Sequence, residues 1–181
     1  MSVTITTVTT TELVPLVDAA HFRQFAGRFA TGVAIIASRD GKGEYKGLVV
    51  NSVTALSLDP PLYLVCLDKK SNTLQAINES GVFSINFLND KQIDISKHFA
   101  SKTADKFATM QVRCGPQGAP LIEGALAACE CRLVSMYPGG DHEIVVGAID
   151  QVMIGEGNPL LFYRGAYGTW PDAEQIAGGK P

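Results

Sequence analysis

No Cys-x-x-Cys pair occurs in the chain, and its three histidines, His21, His98 and His142, stand far apart. The ligand spacing of a zinc site is therefore missing. The motifs GxSxG and HExxH are absent as well, which removes a nucleophile elbow and a zincin helix. No glycine-rich phosphate loop opens a helix, so neither a P-loop nor a dinucleotide fingerprint is present. Apolar runs stop well short of a membrane span. Charge is scarce: 18% of residues carry it and the net charge is −3. That balance favours neither a nucleic-acid backbone nor an anionic membrane as general partner. The opening, MSVTITTVTTTELVPLV, has no basic stretch, and Glu12 interrupts its apolar content, so no signal peptide is read. A cytoplasmic protein with four free thiols is expected.

What is present is a globular chain of 181 residues, 46% of them hydrophobic. That length suits one domain with a sizeable core. The Thr-rich head, 1–20, reads as a loose arm; 21–170 is the domain; 171–181 is a mobile tail. Within the domain, DAAHFRQFAGRFATG is helical, capped by Asp18 and stopped by Gly32, with Phe22, Phe25, Ala26 and Phe29 on one face. VAIIASR is a strand. YKGLVVNSVTALSL is a long strand that bends near Asn51, and LYLVCLD follows the break at DPP. SNTLQAINES is a helix capped by Ser71. GVFSINFL is a strand, and DKQIDISKHFA a helix capped by Asp90. Residues 101–124 read as loop with one helical turn. ALAACECRLVSMY and HEIVVGAIDQVMIG form two strands around a Gly-Gly turn, with Cys129 and Cys131 on one face. PLLFYRGAYGTW is the last strand. Strands outnumber helices and do not alternate with them, which predicts a mainly β, antiparallel barrel of six or more strands with flanking helices.

Four segments carry possible chemistry. VNSVTALSLDPP puts Asn51, Ser52, Thr54 and Ser57 on a strand; Asn51 offers a donor and an acceptor to a heterocycle, although an exposed polar strand face reads the same way. LDKKSNT leaves a strand and enters a helix through Ser71, Asn72 and Thr73. Free N–H groups and the helix dipole suit an anion there, while Ser71 alone is an ordinary N-cap. Gly139 and Gly140 let backbone approach a flat ligand beside Asp141 and His142, where a plain hairpin would look alike. Tyr163, Arg164, Tyr167 and Trp170 gather amphipathic aromatics with one cation, as a core strand also can. A site with a phosphate cradle and aromatic walls but no nucleophile or metal points to a borrowed cofactor.

Taken in order, FRQFAGRFATGVAIIAS, VNSVTALSLDPPLYLVCLDKKSNT, FSINFLNDKQIDISKHFA, YPGGDHEIVVGAI and PLLFYRGAYGTW resemble the short-chain flavin reductases. These are the small components of two-component flavin-dependent monooxygenases, such as those acting on 4-hydroxyphenylacetate or phenol. The resemblance covers most of residues 21–170. It implies an FMN-binding split β-barrel, a homodimer with flavin near the subunit interface, and FMN or FAD with NADH or NADPH as cofactors. The flavin stretch falls on Asn51, Ser52, Val53 and Thr54, with Ser57 following. The phosphate stretch falls on Asp68, Lys69, Ser71, Asn72 and Thr73. Phe99 would lie along the flavin or its adenylate. Gly140, Asp141 and His142 would meet the nicotinamide, and Tyr163, Arg164 and Tyr167 would close the pocket. Relatives often carry a small residue where Val53 stands, and 102–118 matches loosely. The implied activity is NAD(P)H-dependent flavin reduction for a separate oxygenase, with His142 the catalytic residue that positions the nicotinamide. The alternative is a non-enzymatic flavin carrier or redox sensor on the same barrel, which needs no nicotinamide pocket.

Overall fold

The structure, a computed structural model, describes residues 16–170. Most of the expected arm and all of the expected tail lie outside the described residues. Helix α1 (Ala19–Ala26) starts where Asp18 accepts hydrogen bonds from Ala20 and His21 N–H, both at 2.9 Å. It ends at Gly27 rather than at Gly32. Gly32 belongs instead to β1 (Thr31–Gly32), which pairs with a strand far along the chain, a long-range contact that overrides local helical pattern.

Strands β2 (Ala34–Arg39) and β3 (Tyr45–Val50) form a hairpin. The expected single strand beyond it is two: β3 stops at Val50, and β4 (Val53–Leu58) begins after Asn51 and Ser52. β5 (Pro61–Asp68) returns antiparallel to β4 and leads into α2 (Asn72–Ser80). β6 (Val82–Phe87) follows, then α3 (Ile93–Ala100). Gln92, not Asp90, occupies the α3 N-cap, and no side-chain cap bond forms there. Asp90 is used otherwise: its N–H donates to Asn158 O at 2.9 Å.

Residues 101–124 carry a two-stranded ribbon, β7 (Val112–Cys114) with β8 (Pro120–Ile122), instead of the expected helical turn alone. Buried Glu130 fastens this ribbon's turn by accepting N–H bonds from Gln117 and Ala119. β9 (Ala127–Gly139) and β10 (His142–Ile154) make the longest hairpin. The terminal aromatic segment is likewise a hairpin, β11 (Leu160–Tyr163) and β12 (Ala166–Thr169).

Seven strands form one antiparallel sheet in the order β3-β2-β6-β9-β10-β5-β4. Its edges are β3 and β4, yet these are joined directly through Asn51 and Ser52. A two-residue link spans only about 7–10 Å, so the sheet must curl until its edges nearly meet at that end. The edges remain unpaired, which makes this a split barrel rather than a closed one. β1, β11 and β12 make a separate three-stranded sheet.

One cluster of apolar residues, including Ile36, Val65, Leu67, Ile85, Cys131 and Val145, fills the curl. Cys129 and Cys131 are both buried, with sulfurs 3.7 Å apart, as their two-residue spacing on a strand requires. A Cβ on Gly147 would overlap the Phe83 ring, so this core admits only glycine there. The second cluster holds α3, β8 and β11 against the other face of β2 through Phe99, Ile122, Leu160 and Ile35.

Candidate functional site

The turn from β5 into α2 is built by its own side chains. Asp68 accepts the Lys70 N–H on its carboxylate at 2.7 Å and the Ser71 N–H on its carbonyl at 2.9 Å. Ser71 sits in extended conformation and caps α2 as expected, accepting from Thr73 and Leu74 N–H at 3.1 and 3.4 Å. The positive end of α2, with Asn72 and Thr73, borders a cavity of about 430 Å³ whose floor is β3. Opposite α2 stand Ser101, Lys102, Thr103 and Lys106. An N-terminus with hydroxyls and lysines facing such a cavity suits an anion.

The β9–β10 turn lies against the same end of β5. His142 pairs with Asp68 in register, and Gly140 takes φ +69°, the left-handed conformation a two-residue hairpin favours at its first position. Lys69 ties the two pieces together. Its N–H donates to Asp141 O at 3.1 Å, its ammonium donates to Gly140 O at 2.7 Å, and it lies 3.6 Å from Glu143. His142 is half-buried, and its Nδ1 donates to the Asp141 carboxylate at 2.7 Å. That hydrogen bond, helped by the charge of the ring, holds the Asp141 carboxyl below the usual carboxylate range. The ring is thereby oriented by its own neighbour.

Ser52 is clamped to β5 in both directions. Its hydroxyl donates to Cys66 O at 2.9 Å, and its carbonyl accepts Cys66 N–H at 3.0 Å. Asn51 is exposed and borders two cavities, one of about 780 Å³ and one of about 230 Å³. Thr54 and Ser57 follow on the edge strand, Thr54 exposed and Ser57 half-buried, while Val53 packs on the core.

The larger cavity lies between the end of α1 and the Arg164–Gly165 turn. Arg164 is the one non-glycine among the described residues with positive φ, at +51°. Gly165 at +80° completes a turn with both central residues left-handed. The Arg164 N–H donates to Gly27 O at 3.1 Å, which docks this turn on α1. Tyr167 borders the smaller cavity with Asn51, and its hydroxyl meets Ser96 Oγ at 2.9 Å. Tyr163 is exposed on the same hairpin.

The expected residues thus form two neighbouring groups. Asn51, Arg164 and Tyr167 surround the first two cavities, and Asp68–Thr73 with Gly140–His142 frame the end of β5. Phe99 is the exception. Its ring is 1% exposed, packed in the second core beneath Gly47 and edge-on to Phe107, so it backs the cavity wall and presents no face to a flavin or adenylate. Sequence reading missed Arg23 and Arg28 beside the cavity of about 780 Å³, and Lys102 and Lys106 beside the α2 cavity. Their basic character was visible, but only tertiary packing brings them to these walls.

Residues 26–171 match the flavin reductase like domain. The reductase subunit HsaB of a flavin-dependent monooxygenase from Mycobacterium tuberculosis is 43% identical over 83% of this chain and 82% of its own. An NADH-dependent flavin reductase from a Rhodococcus species is 37% identical over 89% of this chain and 92% of its own. Among solved structures, the NADH:FAD oxidoreductase SgcE6 of Streptomyces globisporus, in complex with NAD and FAD fragments, superposes with a TM-score of 0.82 at 34% identity, covering 90% of this chain and 99% of that one. The chain belongs to the flavin reductase-like family, and its open antiparallel sheet is that family's split barrel.

Proposed function

We propose that this protein is an NAD(P)H:flavin oxidoreductase that supplies reduced FMN or FAD to a separate oxygenase. The observation that carries the reading is the convergence at one end of the sheet. The phosphate turn, the glycine hairpin with its oriented histidine, and the Asn51–Ser52 seam are joined there by Lys69 and by the Ser52–Cys66 clamp. The residues fit a phosphorylated flavin: the capped start of α2 suits its phosphate, and Asn51 offers both a donor and an acceptor to ring edges. When bound, nicotinamide and flavin supply the chemistry, a hydride passing from nicotinamide C4 to flavin N5.

The protein's part is positioning. Ser52, clamped on β5, fixes the backbone of the ring-binding stretch. Ser71, Asn72 and Thr73 hold the phosphate end. Lys69 fixes the distance between that end and the Gly140–Asp141 turn, where glycine backbone lies close to a flat ring. His142, steadied by Asp141, orients the nicotinamide, and Tyr163, Arg164 and Tyr167 close the opposite side. Such alignment converts two bound rings into a near-attack pair, which is the main contribution asked of a protein in this reaction.

The working form is a homodimer in the cytoplasm. α1 and the segment after it leave Phe22, Phe25 and Phe29 61–78% exposed, with Phe29 on the wall of the cavity of about 780 Å³, an apolar surface of the kind a second subunit covers. No described helix is long and apolar enough to cross a membrane.

The test is NADH or NADPH oxidation by purified protein with and without added FMN, FAD or riboflavin. Oxidation that saturates with added flavin is expected. Flavin binding without oxidation of either nicotinamide would move the assignment to a carrier or sensor.

A further inference from the structure

Lys69 stands in the stretch that the family resemblance gives to phosphate, yet its side chain goes elsewhere. The cavity at the start of α2 is lined by Asp68, Lys70 and Ser71 and not by Lys69. The Lys69 ammonium is turned to the β9–β10 hairpin, where it donates to Gly140 O at 2.7 Å.

That hairpin needs an outside support. β9 ends at Gly139 and β10 begins at His142, and these two residues pair. The ladder between the strands stops there, so the carbonyls of Gly140 and Asp141 must find partners elsewhere. Lys69 takes both. Its ammonium holds Gly140 O, and its N–H donates to Asp141 O at 3.1 Å. Only the first of these depends on the side chain. Gly140, at φ +69°, is the residue of the turn with the most backbone freedom, and it is the one the ammonium grips. Glu143 steadies the ammonium from β10 at 3.6 Å. That ion pair is partly exposed and weak, so the charge-assisted bond to the carbonyl is the stronger contact. The Asp141 carboxyl, held low first by the His142 hydrogen bond, also feels the Lys69 charge.

We infer that Lys69 is a positioning residue for the nicotinamide: its ammonium holds the Gly140–Asp141 turn, and through it the His142 ring, and it binds no flavin phosphate. The inference rests on the flavin reductase reading. The line of contact is short. Lys69 holds Gly140, Gly140 carries Asp141, and the Asp141 carboxylate accepts from His142 Nδ1 at 2.7 Å. If the turn loosens, Asp141 and His142 swing together. The ring then keeps its partner and loses its place, which costs alignment of the nicotinamide against the flavin.

Lys69→Met tests this on the intact chain, since it keeps the length of the side chain and removes the ammonium. At saturating flavin, the KM for NADH or NADPH should rise about three- to tenfold. Titrated without nicotinamide, FMN and riboflavin should each bind within about twofold of wild type. Lys69→Arg, which can still donate to the Gly140 carbonyl, should recover most of the KM. In the ligand-free protein, amide exchange over residues 140–143 should quicken in Lys69→Met, while exchange in α2 stays as it was. Weakening of FMN with riboflavin spared makes Lys69 a phosphate ligand and overturns the inference. An unchanged KM overturns it as well, as does faster exchange throughout the chain in place of the hairpin alone. Wild-type protein that oxidises neither nicotinamide with any flavin rejects the reductase reading itself, and the exchange comparison then still decides whether Lys69 holds the hairpin.

Discussion

His142 and Arg164 show how much of this site rests on single side chains held in unusual ways. The His142 ring is tied to Asp141, and its backbone is registered to Asp68, so its position follows from two independent restraints. His142→Ala removes the ring but not the hairpin. We expect kcat/KM for the nicotinamide to fall roughly ten- to a hundredfold, the scale of lost alignment. Flavin affinity should stay within about twofold, and a parallel loss of flavin binding, measured by titration, would contradict the role. Arg164 sits in a left-handed conformation that costs an L-residue of its kind about 1–2 kcal/mol. Asparagine or glycine would be easier there, so the arginine is held at a local cost in stability. Arg164→Gly should leave the melting temperature equal or higher while raising the KM of flavin or nicotinamide. A melting temperature several degrees lower would show that the side chain serves the fold instead.

Among the elements, α2 is the one whose start does two things at once. Ser71 satisfies Thr73 and Leu74 N–H and also lines the cavity at the start of α2. Ser71→Ala should cost about 1 kcal/mol of stability through the lost cap. It should also weaken FMN more than riboflavin; equal weakening of both would remove the phosphate from this helix end. The caps illustrate what local sequence discloses. Asp18 and Ser71 were legible because a short polar side chain before an amphipathic run has one favourable use. Asp90 looked equivalent, but its backbone is engaged with Asn158, and the helix starts two residues later. Strand identities in β2, β5, β6, β9 and β10 followed from apolar runs. The break at Asn51–Ser52 did not, because an edge strand that changes edges has the same composition as one that continues. Pairing of β1 with β11 spans some 130 positions and leaves no local mark.

At the scale of the molecule, the apolar side of α1 sets the expectation of a dimer. Phe22, Phe25 and Phe29 have no covering element among the described residues, and β4 exposes Leu58 as well. A double change, Phe22→Ser with Phe25→Ser, should convert a dimer to monomer in sedimentation velocity. Those side chains contribute little to this chain's own core, so the folded monomer should persist. A wild-type chain that sediments as a monomer at micromolar concentration would sink the dimer. The expected site residues form a set in the sequence because their order along the chain resembles the family's. Their spatial grouping was not legible there, since it depends on how far the sheet curls.

That curl leaves a seam. Across β3 and β4 no ladder of backbone hydrogen bonds closes the sheet, and the two-residue link at Asn51–Ser52 fastens one end only. A ligand lodged beside that link would do what a missing eighth strand would do, bracing two edges that no backbone ladder joins. Heat resistance should therefore report occupancy: by mass action a flavin held a hundredfold above its Kd adds about 2.7 kcal/mol. Amide exchange along β3 and β4 should slow on loading, while that of β6 and β9, braced on both sides by neighbours, should change least. The protein would be stiffest with a ligand in place and loosest without one.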